Sequence, residues 1–206
     1  MQHDELLKFA QENAERFWRD AGNHWLNDNF GLLASARVIE VGGYRGNWTN
    51  YISGHYDCFV DVYEPVKEFY EHMKQRFSNR PKIQVVNSGV ESYTGQACMA
   101  VMEEGSTLYT PGADKGESVS MLDISQIVRN KAKVDLLALN CEGSEYNILS
   151  HLIMDGEINR VEKILVQFHV DYPDAEKRRD SIRQELAKTH WETMAYPFCW
   201  ERWERK

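Results

Sequence analysis

VIEVGGYRGNWT, residues 38–49, reads as a strand that ends in a glycine-rich turn and opens a helix. Val38, Ile39 and Val41 form a short run of β-branched residues, the composition of a parallel strand buried on both faces. Gly42 and Gly43 permit a tight turn and close approach by a ligand, and Gly46 lets the helix start pack near the strand. Asn47 or Thr49 is placed to cap that helix. The helix start leaves backbone N–H groups available to a ligand. Glu40 is the odd member. A carboxylate inside an apolar strand costs free energy without a partner, and a cationic ligand would supply one.

The glycine spacing separates cofactors. A dinucleotide fingerprint needs G-x-G-x-x-G. Counted from Gly42, its second and third glycines would fall at Tyr44 and Asn47. A phosphate loop needs Gly-Lys-Ser/Thr, and the chain has no such triplet. The run is acidic-x-Gly-x-x-x-Gly, which resembles motif I of class I S-adenosylmethionine-dependent methyltransferases.

The chain of 206 residues is long enough for one sizeable α/β domain, and 42% hydrophobic residues supply a core. A net charge of −8 and the lack of a long basic run argue against nucleic acid or an anionic membrane as partner. No stretch reaches transmembrane length, and residues 1–20 lack the apolar core of a signal peptide. Cys58, Cys98, Cys141 and Cys199 are far apart in sequence and show no zinc spacing. A reduced, cytoplasmic protein is the simplest expectation.

Outward from the glycine turn, residues 4–20 have helical spacing of apolar positions, with Asp4 as the expected cap, and a loop is expected around Gly22 to Gly31. Trp48 to Ser53 makes a short helix ending at Gly54. Residues 58–63 read as a second strand, and a helix over 66–77 follows Pro65. Glu64 lies 24 positions after Glu40, at the end of that strand. A nucleotide-binding fold places there an acid that accepts hydrogen bonds from ribose hydroxyls. Residues 82–87 give a third strand, and the Ser88-Gly89-Val90 junction is the expected flank of an adenine pocket. Residues 92–120 break the alternation and read as an inserted hairpin or flap. Asp123 is expected to cap a short helix through Val128.

VDLLALNCEGSEYNIL, residues 134–149, is the second informative stretch. An apolar fourth strand ends in Asn140, Cys141, Glu142 and Gly143. Ser144 is the expected cap of the next helix, whose apolar face holds Tyr146, Ile148, Leu149 and Leu152. A fifth strand, residues 164–169, leads to Gln167, His169 and Asp171. A helix over 174–188 and two closing strands within 191–203 complete the chain. Strands alternating with helices, with polar clusters at successive strand ends, predict a doubly wound, mostly parallel α/β sheet with helices on both faces. We expect one domain over 1–206, with 1–34 as an N-terminal helical extension and 35–206 as the core.

In this order the pieces resemble the FkbM-type class I methyltransferases, a Rossmann-like family. The match comprises the acidic-strand glycine turn, Glu64, the SMLD run at 120–123, LLALNCEGSEYNIL and QFH, over roughly residues 35–170. The family usually has Asp where this chain has Asn140, Lys at Ala138 and often Glu at Gln167. Loss of the charge at position 140 weakens the case for a metal, because hard cations prefer anionic oxygen ligands. The resemblance implies S-adenosylmethionine as cofactor, held by Glu40, Gly42, Gly43, Tyr44, Gly46, Asn47, Trp48, Glu64, Ser88 and Asn140. It implies methylation of a hydroxyl on a sugar, glycan, polyketide or other small molecule, in some relatives beside a glycosyltransferase.

Methyl transfer to oxygen requires an aligned acceptor and a group that takes its proton. His169 is the expected general base, Glu142 the second choice, and Asp171 would orient the imidazole or bind a sugar hydroxyl. Glu145, on the first helical turn, reads as a favourable dipole charge. Tyr44, Trp48, Tyr109 and Trp200 are candidates for stacking on a sugar face. No zinc ligand set is evident. A weak divalent-ion requirement is not favoured but stays open, since convergence of Glu142, His169 and Asp171 would supply a ligand set. A nicotinamide oxidoreductase is disfavoured by the glycine spacing, and a cofactor-binding module without catalysis is the remaining alternative.

Overall fold

The computed structural model describes residues 1–20, 22–27, 30–100 and 116–206. Its elements in order are α1 (His3–Arg19), α2 (Gly22–Asn27), β1 (Arg37–Val41), α3 (Asn47–Tyr56), β2 (Phe59–Tyr63), α4 (Lys67–Arg76), β3 (Ile83–Val86), β4 (Gly89–Glu91), β5 (Gly95–Met99), β6 (Glu117–Asp123), α5 (Ile124–Arg129), β7 (Leu136–Leu139), α6 (Ser144–Met154), a 3-10 turn (Glu157–Arg160), β8 (Lys163–Val166), α7 (Ala175–Thr189), β9 (His190–Tyr196) and β10 (Trp200–Arg205).

A seven-stranded sheet has the order β3-β2-β1-β7-β8-β10-β9. β3, β2, β1, β7 and β8 are parallel, and β10 runs antiparallel to both β8 and β9. Side chains alternate across the sheet into two cores. Ile39, Val41, Leu137 and Leu139 pack with α5, α6 and α7 on one face. Val38, Val60, Val62, Leu136 and Ala138 pack with Ile52 of α3 and Met73 of α4 on the other. This explains the near-continuous apolar runs of the parallel strands. Helix α1 spans both layers, with Leu6 in the first core and Phe17 in the second.

The insertion differs from a simple flap. Its described part is a second sheet of order β4-β6-β5, with a small core of Val66, Phe69, Met99, Val119 and Met121. Tyr109, a stacking candidate, lies with residues 101–115 outside the described residues. Asp123 caps α5 as expected, accepting from the Ser125 and Gln126 amides.

Several expected ends move. Gln2 starts α1, its amide donating to Glu5, so Asp4 lies in the first turn and is not the cap. The expected loop after Gly22 holds α2; a Cβ at Gly22 would lie 2.5 Å from the Phe17 ring, so this glycine serves close packing. Helix α3 continues through Gly54 to Tyr56. The caps of α3 and α6 are the left-handed glycines Gly46 and Gly143, not Asn47, Thr49 or Ser144.

Chain reversal and strand contact meet at Gly42. Its φ is +90°, and a Cβ there would lie 1.8 Å from the Asn140 carbonyl oxygen. Gly42→Ala is therefore expected to destabilise the protein by roughly 1–3 kcal/mol from conformation alone, with the steric contact added. Urea unfolding would measure it, and an unchanged midpoint would remove this role for the glycine.

Candidate active site

The strand order reverses direction between β1 and β7, and at such a point α/β sheets open a crevice beyond the carboxyl ends of their strands. A cavity of about 360 Å³ lies there. Val41, Gly42 and Tyr44 line it from the β1 turn, Glu64 and Pro65 from the end of β2, and Asn140, Cys141, Glu142 and Ser144 from the end of β7. Phe69, Val90, Met99 and Met121 give it an apolar side, and Gln167 contributes from the end of β8.

Glu64 is 5% exposed. Its carboxylate accepts from the amides of Tyr44 at 2.7 Å and Val66 at 2.9 Å. Burial still pushes its pKa up to about 7, against those hydrogen bonds. Tyr44 takes a left-handed backbone, φ +48°, and its ring packs edge-on against Phe69 with centroids 4.6 Å apart. Glu142 is also left-handed, φ +51°. Strained backbone of this kind tends to gather at functional sites, and both residues stand on the cavity wall.

Other residues expected to hold the cofactor sit off that wall. Glu40 is 4% exposed and accepts from the Thr49 hydroxyl at 2.6 Å. Its partner among the described residues is thus a hydroxyl of α3. Burial raises its pKa to about 8, with the nearby Glu64 charge adding to the effect. Gly43 and Gly46 back onto Val62, Met73 and Phe77, which occupy the space a Cβ would need. Asn47 is exposed and accepts from Arg76. The Trp48 indole donates to the Leu26 carbonyl and packs into the second core, as does Trp200. Ser88 is buried, its hydroxyl 2.8 Å from the Ser120 carbonyl. Gly42, Tyr44, Glu64 and Asn140 are the expected cofactor residues that the cavity brings together.

The expected catalytic residues divide likewise. His169 Nε2 is 3.2 Å from Glu142 Oε1, and Nδ1 is 3.0 Å from Glu145 Oε1. Burial disfavours the imidazolium, but Glu145 and Glu142 outweigh it and raise the pKa to about 10. Both ring nitrogens of His169 thus face carboxylates, which favours the protonated ring, while Glu142 stands on the cavity wall. Asp171 does not orient the ring: it is exposed, 3.6 Å from His3 of α1. It also does not converge with Glu142 and His169 as a metal ligand, and no group of three or more His, Cys, Asp or Glu placed for a metal occurs among the described residues.

Sequence reasoning missed three groups. Glu145 has no exposed surface and partners His169 instead of serving as a mere dipole charge. Its spacing of three from Glu142 across a glycine was the available signal. Glu91, 1% exposed, accepts from Asn147, which in turn accepts from the Tyr172 hydroxyl. The apolar side from Phe69, Met99 and Met121 joins segments distant in sequence and carried no local signal.

The raised pKa of Glu40 has a stability consequence. Its folded value, about 8, exceeds that of the unfolded carboxyl, so the folded state binds the extra proton between about pH 4.5 and 8. Stability is fully present below that window and declines through it, by up to about 1.4 kcal/mol per pH unit for one such proton. Glu40→Gln keeps an oxygen for Thr49 and is expected to flatten that decline. Unfolding free energies at pH 5 and pH 8 check it; parallel pH profiles for the two proteins would contradict it.

No curated protein matches this chain. Among solved structures, a putative rRNA-methylase from Clostridium thermocellum aligns with a TM-score of 0.54 at 8% identity, covering 85% of this chain and 90% of that one. A chain of a fibrillarin/Nop5p complex aligns with a TM-score of 0.51 at 13% identity, covering 85% of this chain and 75% of that one. At these identities the likeness is one of fold. The family model of the methyltransferase FkbM domain matches residues 40–194, from the β1 carboxylate into β9. With that match over most of its length, this chain belongs to the FkbM methyltransferase family, S-adenosylmethionine-dependent enzymes of the class I fold.

Proposed function

We propose that the protein is an O-methyltransferase acting on a hydroxyl of a sugar in a glycan or glycoside. The observation that carries this reading is Glu142, a carboxylate on the cavity wall whose position is set by His169. The site suits the cofactor: the Glu64 carboxylate and the apolar side formed by Phe69, Val90, Met99 and Met121 match a ribose and an adenine. When bound, S-adenosylmethionine supplies an electrophilic methyl group whose leaving sulfur needs no proton. The chain's own work is to align the acceptor, exclude water and remove the hydroxyl proton. Glu142 takes that proton and Gln167 offers a hydrogen bond to the acceptor, while Asn140 stands with the cofactor's residues. A net charge of −8 favours a neutral acceptor over nucleic acid and gives no pull toward an anionic membrane. A glycan acceptor would make a glycosyltransferase of the same pathway a natural partner, and a cytoplasmic setting suits the spaced cysteines.

The experiment is incubation with labelled cofactor and a panel of sugars, glycosides, polyketides, amines and RNA, read by mass spectrometry. Methylation of sugar hydroxyls supports the reading; label on amines, RNA or polyketides alone sinks the sugar assignment. Glu142→Gln is expected to lower turnover by roughly 10²–10⁴-fold with cofactor affinity retained. Near-normal turnover in that variant would leave alignment as the chief catalytic factor. Glu64→Ala is expected to weaken cofactor binding by about 1–3 kcal/mol, and calorimetry on the folded variant reads this directly.

A further inference from the structure

We propose that Glu145 is a positioning residue: by gripping both the backbone and the ring of His169, it aims the imidazole Nε2 at Glu142. The inference rests on the reading of Glu142 as the proton acceptor and assigns the machinery behind it. Glu145 is the second residue of α6 and has no exposed surface. Its Oε1 accepts from the His169 amide at 2.8 Å and lies 3.0 Å from His169 Nδ1. Its Oε2 accepts from the Gly143 amide at 2.9 Å and faces the Cys141 thiol at 3.6 Å. One carboxylate therefore ties the loop after β7 to the loop after β8. The Tyr146 hydroxyl donates to the His169 carbonyl at 2.8 Å, so the histidine backbone is held from both sides. With Nδ1 committed to Glu145, Nε2 is left to meet Glu142.

The His169 and Gly143 amides approach different oxygens of the carboxylate, so both oxygens must accept, which a glutamine with one oxygen and one NH2 does not offer. The further contact, to a ring nitrogen, adds a call for negative charge, because a buried imidazolium requires a counter-ion. The ionisable groups around the pair are Cys141 and Glu142 from the β7 loop, Tyr146 from α6, Glu91 from β4 through Asn147, and Tyr172, with Arg178 of α7 beyond it. The acids outnumber the cations around this ring, which favours its charged form. A charged ring donates from both nitrogens at once, so it bridges Glu145 and Glu142 as donor to each. A neutral ring donates from one nitrogen alone and would release one of the carboxylates.

The test combines NMR of ¹⁵N-histidine-labelled protein with pH–rate profiles, using His169→Gln to assign the resonance. In the wild-type protein the His169 ring is expected to keep its doubly protonated signature through pH 8. In Glu145→Gln the ring titration moves down by about one pH unit or more. The alkaline limb of turnover moves with it, and cofactor affinity stays within about threefold. Glu145→Asp, which keeps the charge on a shorter arm, recovers part of the shift. A wild-type ring that titrates near the ordinary histidine value overturns the inference. So does an activity loss in Glu145→Gln that is equal at every pH with the ring titration unmoved. If Glu145→Gln does not fold, Glu142→Gln takes its place: the ring must then stay doubly protonated at pH 7, and a neutral ring there overturns the inference. Absence of methyl transfer to every hydroxyl acceptor would instead sink the reading of function, while the ring titration would still decide the role of Glu145.

Discussion

The ends of β1 and β7 are pressed together more tightly than two side-chain-bearing turns allow. The Asn140 amide donates to the Val41 carbonyl at 3.0 Å, and its own carbonyl fills the space where Gly42 lacks a Cβ. Gly42 in turn donates to the Tyr63 carbonyl, so the tips of β7, β1 and β2 form one connected rim. The crevice depends on that rim. Tyr44 reaches Glu64 only because the β1 turn reverses there, and Glu142 takes its place on the wall because the β7 loop departs from the same point. Rigid packing below, from strands buried on both faces, keeps the rim from relaxing.

Three of the buried carboxylates around this rim meet the cost of burial in different ways. Glu64 collects backbone amides from its own loop and the β1 turn. Glu40 has a hydroxyl donor and a raised pKa, which keeps it protonated near neutrality. Glu145 has the His169 amide and ring nitrogen. The first arrangement leaves an anion-like surface toward the cavity, the second stiffens the strand-to-helix junction, and the third ties two loops together. Residues of one chemical type thus serve different ends according to which donor reaches them.

Much of this was legible in the sequence. The β1 turn and the β7 run combine a strand period, a break and a helix period within a dozen residues, and the spacing from Glu40 to Glu64 located the second acid. What escaped depends on tertiary contact. A glycine at 22 reads as a loop signal until Phe17 is seen to need its space. Trp48 stands one residue past the turn, yet its indole swings to the Leu26 carbonyl, a contact made 22 residues away in sequence. Asp171 and His169 look like neighbours, but the chain beyond β8 carries them to opposite surroundings. A histidine at a strand end suggests a base, and only the two carboxylates facing it show why its protonated form is favoured.

The position of β10 bears on how the protein is made. It lies between β8 and β9, although it follows both in sequence. Until residues 200–205 exist, β8 has an open hydrogen-bonding edge and β9 has no partner on the sheet. Trp203, 2% exposed, and the Glu201–Arg179 pair are added by the same late segment. The crevice strands β1, β2 and β7 can pair during synthesis, whereas the far half of the sheet must wait for its closing wedge. A chain stopped between β8 and β10 would therefore keep a sticky, half-finished edge as a template for aggregation.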